Sequence, residues 1–133
     1  MATIQDAGVK RLLDEPYHAV VTTLNADGSP HSTVVWVNVE DGKVAVNSGL
    51  GRKWPTNLQR DPRITVVVYD EANPYDYVEI RGAATSSTED ADGHIDRLAK
   101  KYLGADSYPF RQPDEQRISF FVDPTLVRHQ KQG

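Results

Sequence analysis

Residues 18–48 read HAVVTTLNADGSPHSTVVWVNVEDGKVAVNS, and this stretch decides the fold. Three runs rich in β-branched residues, 18–24, 32–39 and 44–48, are separated by two clusters of turn residues. Asp27-Gly28 supplies the positive φ that a tight hairpin connection needs, and Glu40-Asp41-Gly42-Lys43 makes the second turn. The middle run alternates, with Val35, Val37 and Val39 on one face and Val34, Trp36 and Asn38 on the other, the period-2 signature of a half-buried strand. Three antiparallel strands in a meander are expected.

Upstream, residues 4–14 read as a helix with Ile4, Val9, Leu12 and Leu13 on one side, ended by Pro16. Downstream, 49–62 opens with glycines, starts a short helix near Pro55 and stops at Pro62. Strands follow at 63–70 and 77–85 with Asn73-Pro74 turning between them, and Gly82 marks a bulge or a close backbone contact. Residues 89–103 form the strongest helical pattern, with Ile95, Leu98, Ala99, Tyr102 and Leu103 on one stripe, Thr88 as N-cap and Gly104 as stop. A strand at 118–122 and a further one at 125–129 complete the chain. The pattern is mainly β: six to seven short antiparallel strands closing into a barrel with flanking helices, as one domain over residues 1–133.

Composition narrows the function. The 133 residues include no cysteine, which removes disulfides, thiolate metal sites and cysteine nucleophiles. A net charge of −4 with dispersed basic residues argues against nucleic-acid binding. The N-terminus has no basic segment followed by an apolar core, and the longest apolar run, 66–69, is far too short to cross a bilayer, so a cytoplasmic protein with no membrane partner is expected. His18, His31, His94 and His129 are isolated from one another, so no metal site is expected.

Two segments can carry chemistry. In 49–57, Gly49 and Gly51 allow a ligand close to the backbone, and Arg52 and Lys53 follow where a helix begins; these are the parts of a phosphate cradle. The spacing matches neither the dinucleotide fingerprint nor the P-loop, and a solvated glycine-rich loop fits the same residues. Val34 and Trp36, beside a strand ending in Asn47-Ser48, offer an apolar wall for a flat ring, or else belong to the core. A third stretch, 73–82, has Tyr75 and Tyr77 at a turn and then Glu79 and Arg81 on one polar face, which suits a solvated face or a dimer seam.

Taken together, 19–24, Asp27-Gly28-Ser29-Pro30 and Val34-Val35-Trp36-Val37 resemble the opening of the pyridoxamine-phosphate-oxidase-like, FMN-binding-like split β-barrel proteins. Gly51-Arg52-Lys53-Trp54-Pro55-Thr56-Asn57-Leu58, Asn73-Pro74-Tyr75, Tyr77-Val78-Glu79, His94-Ile95-Asp96-Arg97 and Tyr108-Pro109-Phe110-Arg111 are similar to its deazaflavin-dependent branch, in the same order along nearly the whole chain.

The resemblance implies a homodimeric split barrel with two cofactor sites at the subunit interface, holding coenzyme F420, with FMN as the alternative. The phosphate would meet Ser48, Arg52 and Lys53, supported by Asn57 and next to Asn47 and Gly51. The ring would lie over Val34, Val35, Trp36 and Val37. Tyr77 and the Tyr108-Pro109 loop would come from the partner chain. One departure is visible: the position where many relatives carry a phosphate-binding lysine falls on Trp54, with Lys53 one residue earlier, which leaves two alternatives: Lys53 still meets the phosphate, or it swings away and Trp54 closes over the cofactor instead. The implied reaction is hydride transfer between reduced deazaflavin and an electron-poor small molecule, with no catalytic side chain assigned. The rivals are an FMN-dependent oxidase or reductase and a non-catalytic binder of flavin, deazaflavin or haem.

Overall fold

The computed structural model describes residues 2–132. Its elements are α1 (Ala7–Asp14), β1 (Ala19–Leu24), β2 (Pro30–Val35), β3 (Asn38–Glu40), β4 (Lys43–Gly49), α2 (Lys53–Arg60), β5 (Arg63–Asp70), β6 (Asn73–Ser87), α3 (Ala91–Leu103) and β7 (Arg117–Gln130). All strand pairs are antiparallel, in the order β2-β1-β5-β6-β7-β4-β3. No described helix is long and apolar enough to cross a membrane.

That order forces closure. The outermost strands β2 and β3 are joined only by Trp36 and Val37, a reach of about 11 Å. Seven flat strands would hold their edges about 29 Å apart. The sheet therefore rolls up, and its seam is bridged by the chain itself rather than by a ladder. This is a split β-barrel.

The seam also corrects the expected meander. Residues 32–39 are two strands: β2 pairs with β1, while β3 pairs with β4. At the break, the peptide groups of Val37 find partners on α3. Tyr102 Oη accepts from the Val37 N–H at 3.1 Å and donates to the Tyr17 carbonyl at 2.6 Å, and Lys101 Nζ donates to the carbonyls of Val37 at 2.6 Å and Leu13 at 2.5 Å. Burial pushes the Tyr102 hydroxyl up to about 12, so it stays protonated. Tyr102→Phe leaves the N–H of fully buried Val37 unpaired and is expected to cost about 2 kcal/mol in urea denaturation.

The turns follow local chemistry. Asp41 and Gly42 have φ of 51° and 77°, the pair a two-residue type I′ hairpin requires. The β5–β6 turn falls at Glu71-Ala72 rather than Asn73-Pro74; Asp70 pairs with Asn73, and exposed Pro74 lies where β6 has no ladder partner on β5. α1 begins at Ala7, later than expected, because the Asp6 carboxylate accepts from the Thr3 N–H (3.0 Å) and ties 3–6 into a turn. α3 starts after Asp90, whose φ of 58° breaks the helix there, and it ends at Gly104 (φ 69°).

The last strand is one element, not two. Gly82 and Pro124 face each other at a register shift in β6–β7, so both strands bend and continue. A Cβ on Gly82 would overlap the Asp123 carbonyl oxygen, which confirms both a bulge and a close backbone approach.

Val21, Val44, Val46, Val66, Val68, Val78, Ile80, Phe120 and Val122 fill the barrel, while Val9, Leu12 and Leu13 of α1 and Trp54 and Leu58 of α2 join the same core. β4 register places Val44, Val46 and Ser48 against Val122, Phe120 and Ile118 on the inner face, and Ala45, Asn47 and Gly49 against Phe121, Ser119 and Arg117 on the outer one. α3 packs over that outer face.

Candidate functional site

Where α3 stops short of covering the outer face of β4 and β7, a pocket of about 430 Å³ remains between the seam, the start of α2 and the loop that follows α3. Its lining includes Val34, Val35, Trp36, Asn47, Ser48, Arg52, Lys53, Trp54 and Tyr108. The structure thus brings together nine of the residues singled out from sequence.

The seam makes the aromatic wall. Because β2 ends at Val35, Trp36 turns out of the barrel, half-buried, and stacks on Tyr102 with centroids 5.2 Å apart and planes at 8°. Tyr108 meets it edge-on at 6.0 Å, and Phe110 meets Tyr108 at 5.7 Å. Trp36 is a wall residue rather than a core one. Val34 and Phe110 stand at the mouth, 64% and 60% exposed.

The start of α2 makes the cationic end. Gly51 has φ of 92° with open space beside it, so it is the backbone turn and not crowding that calls for glycine. Arg52 is the N-cap residue, and no side chain caps the helix, so the N–H groups of Lys53 and Trp54 have no partner within it. Arg52, Lys53 and Arg117 line the pocket with His18 and His31, and among the described residues no acidic one is in the lining. The positive end of the helix dipole adds to this charge.

Other expected residues take different places. Asn57 lies behind the pocket, its amide donating to Thr23 Oγ1 and Asn25 Oδ1 at 3.1 Å each, which pins α2 to β1. Trp54 is only 7% exposed, its ring 5.5 Å from Phe120; it anchors α2 in the core, and Lys53 is the one that stays exposed at the pocket. Tyr77 sits on β6 opposite Tyr69 and Gln130, outside the lining, and exposed Pro109 is outside it too. Tyr108 lines its own chain's pocket, because its loop is tied back to α3: Asp96 Oδ1 accepts from the Tyr108 N–H (2.8 Å) and from Arg111 (2.7 Å).

Sequence reasoning missed Arg117 and Glu115, and it set His94 aside as no metal ligand without seeing its partners. Arg117 is 5% exposed. Its Nε donates to Asn47 Oδ1 at 2.9 Å, its Nη1 pairs with Glu115, and its guanidinium lies 5.1 Å from the Tyr108 ring centroid. Burial pulls its pKa down, yet an arginine stays charged. Asn47 donates to the Ala91 carbonyl (2.9 Å) and to Ser119 Oγ (3.2 Å), Ser119 lies 2.7 Å from His94 Nδ1, and His94 Nε2 lies 2.9 Å from Asn38 Oδ1. Asn38 donates its own amide to Glu40, so Asn38 Oδ1 accepts and His94 carries its proton on Nε2. Burial holds this imidazole down to about 4, in the neutral form the network needs. The available signal was the alternation of Arg117 and Ser119 with Ile118 and Phe120, one polar face on an apolar strand.

A seven-stranded barrel with an external pocket at its seam defines a split β-barrel protein. The chain belongs to the pyridoxamine 5'-phosphate oxidase family, whose sequence profile matches residues 6–131. No functionally curated protein sequence matches it. Among solved structures it resembles an F420 reductase (23% identity, TM-score 0.77, covering 90% of this chain and 94% of that one). It also resembles a conserved hypothetical protein of Mycobacterium tuberculosis (19%, 0.75, 96% and 85%) and General Stress Protein 26 of Bacillus anthracis (18%, 0.72, 96% and 95%). At these identities the likeness is one of fold.

Proposed function

We propose that the chain is an F420-dependent oxidoreductase that transfers a hydride between the reduced deazaflavin and a small electron-poor molecule. The observation that carries this reading is the pairing, in one pocket, of a cationic helix start with a flat aromatic wall. Arg52, Lys53 and the free N–H groups of α2 suit a phosphate, and Trp36 with Val34 and Val35 suits one face of a ring system. The lining, which has no acidic side chain among the described residues, fits an anionic group, with Glu115 held behind it on Arg117. The bound coenzyme supplies the redox chemistry; the chain's residues seat its tail, orient its ring and keep water from it. No side chain is assigned as a nucleophile.

Val34 and Phe110 leave one side of the pocket bare, and a second copy of the chain is the cover proposed here, giving a homodimer with a site at each end of the interface. FMN is the alternative cofactor for the same cationic end.

Titration with F420, FMN and haem, followed by tryptophan fluorescence, tests the reading; Trp36 reports from inside the pocket. Saturable F420 binding with substrate-dependent oxidation of the reduced form is expected, and tight binding without turnover would make the protein a carrier. Arg52→Ala is expected to weaken cofactor binding about tenfold to a hundredfold while changing hydride transfer in the saturated complex far less. Unchanged affinity removes Arg52 from the phosphate seat.

A further inference from the structure

At the cationic end of the pocket the chain places one negative charge of its own. Glu115, on the loop between α3 and β7, has a side chain only 8% exposed, is in direct ion-pair contact with Arg117 Nη1 and faces Arg52 Nη2 at 3.8 Å. The two arginines are held differently. Arg117 is fixed on three sides, by Asn47 at Nε, Glu115 at Nη1 and the Tyr108 ring. Arg52 is 58% exposed, and its contact with Glu115 is longer than a hydrogen bond, so it is free to swing to a ligand. Glu115 cannot follow: leaving Arg117 would strand a buried cation and a buried carboxylate. The carboxylate therefore remains beside the ligand's anionic group.

The geometry points to Glu115 as a specificity-determining residue, a charge filter that narrows the advantage a doubly charged terminal phosphate would otherwise have over a singly charged phosphodiester tail. This rests on the cofactor reading above and names what selects within it. Near neutral pH a terminal phosphate monoester carries between one and a half and two negative charges, whereas a diester carries one. The monoester gains more than the diester from Arg52 and Lys53, and it also meets more repulsion from the fixed carboxylate, so Glu115 takes back part of that gain. Discrimination by a placed repulsion is a common device in selective sites. F420 carries its phosphate as a diester and FMN as a monoester, so the filter would turn this pocket toward the deazaflavin.

The test uses three flavins that share one ring: riboflavin, FMN and the 5'-methyl phosphate ester of riboflavin, with F420 measured alongside. Glu115→Gln is expected to tighten FMN about tenfold, to change the methyl ester and F420 much less, and to leave riboflavin unchanged. Glu115→Gln shifting all phosphorylated ligands alike, or shifting none of them, overturns the filter. Should Glu115→Gln not fold, Glu115→Asp decides with the same ligands: the carboxylate is drawn back by one methylene, and FMN should tighten more than its methyl ester. If none of the four ligands saturates the protein, the cofactor reading itself falls; binding without charge preference removes only the role of Glu115.

Discussion

Gly82→Ala is expected to lower stability by about 3 kcal/mol, seen as a shifted urea midpoint with little change in slope. The added methyl would run into the Asp123 carbonyl oxygen, with the Asp123 carbonyl carbon and Pro124 Cα next nearest. All three atoms are backbone, so no flexible side chain can step aside. Asp123 is itself held by its pairing with Ala83, and Gly82 opposes Pro124 across the register shift. Relief would require pulling β6 from β7 at the point where both bend. Alanine at this position therefore damages the barrel, not only the turn.

Acid is expected to weaken the fold through His94. The folded chain binds a proton there only near pH 4, because burial opposes the imidazolium, against an ordinary value of 6.5. Below about pH 6.5 the unfolded chain takes up the proton first. The contribution is thus complete above pH 6.5 and is drained as pH falls to about 4, amounting to about 3 kcal/mol. Urea denaturation at pH 7 and at pH 4.5 measures it, and His94→Gln should flatten that segment of the profile. A residual acid dependence is expected from Glu40: burial pushes its pKa up, but hydrogen bonds from Arg97 and Asn38 prevail and hold it low, so its contribution is lost at more acid pH. If His94→Gln keeps the full slope between pH 6.5 and 4, the imidazole is not its source.

Local chemistry was readable in the sequence. Strand 63–70 begins and ends where expected, Gly104 stops α3, and Gly82 is both a bulge and a close contact. The break at Trp36-Val37 was not readable, because the alternation runs unbroken through 32–39 and says nothing of which neighbour each half pairs with. What splits the strand is 65 residues away, in the Tyr102 hydroxyl that receives the Val37 N–H. The site divides in the same way. Arg52, Lys53 and Trp36 announce themselves through adjacent glycines and valines, whereas Arg117 reaches the pocket only because β7 pairs with β4 in a register that sets it opposite Gly49 and beside Asn47. Glu115 comes in through its ion pair with Arg117, two residues further on, and nothing local marks it.

The way this barrel shuts has a consequence for how its pocket can change. Elsewhere the wall is stitched by main-chain bonds, so widening it would mean unmaking several at once. Between β2 and β3 the wall is only two residues of chain, clasped from outside by the Lys101 amine and the Tyr102 hydroxyl. Room for a bulkier or slimmer guest can be made there by reshaping side chains at 34–36, with every ladder intact. Variation in what such a vessel accepts is accordingly expected to gather at its stitch line, while the strands opposite stay fixed.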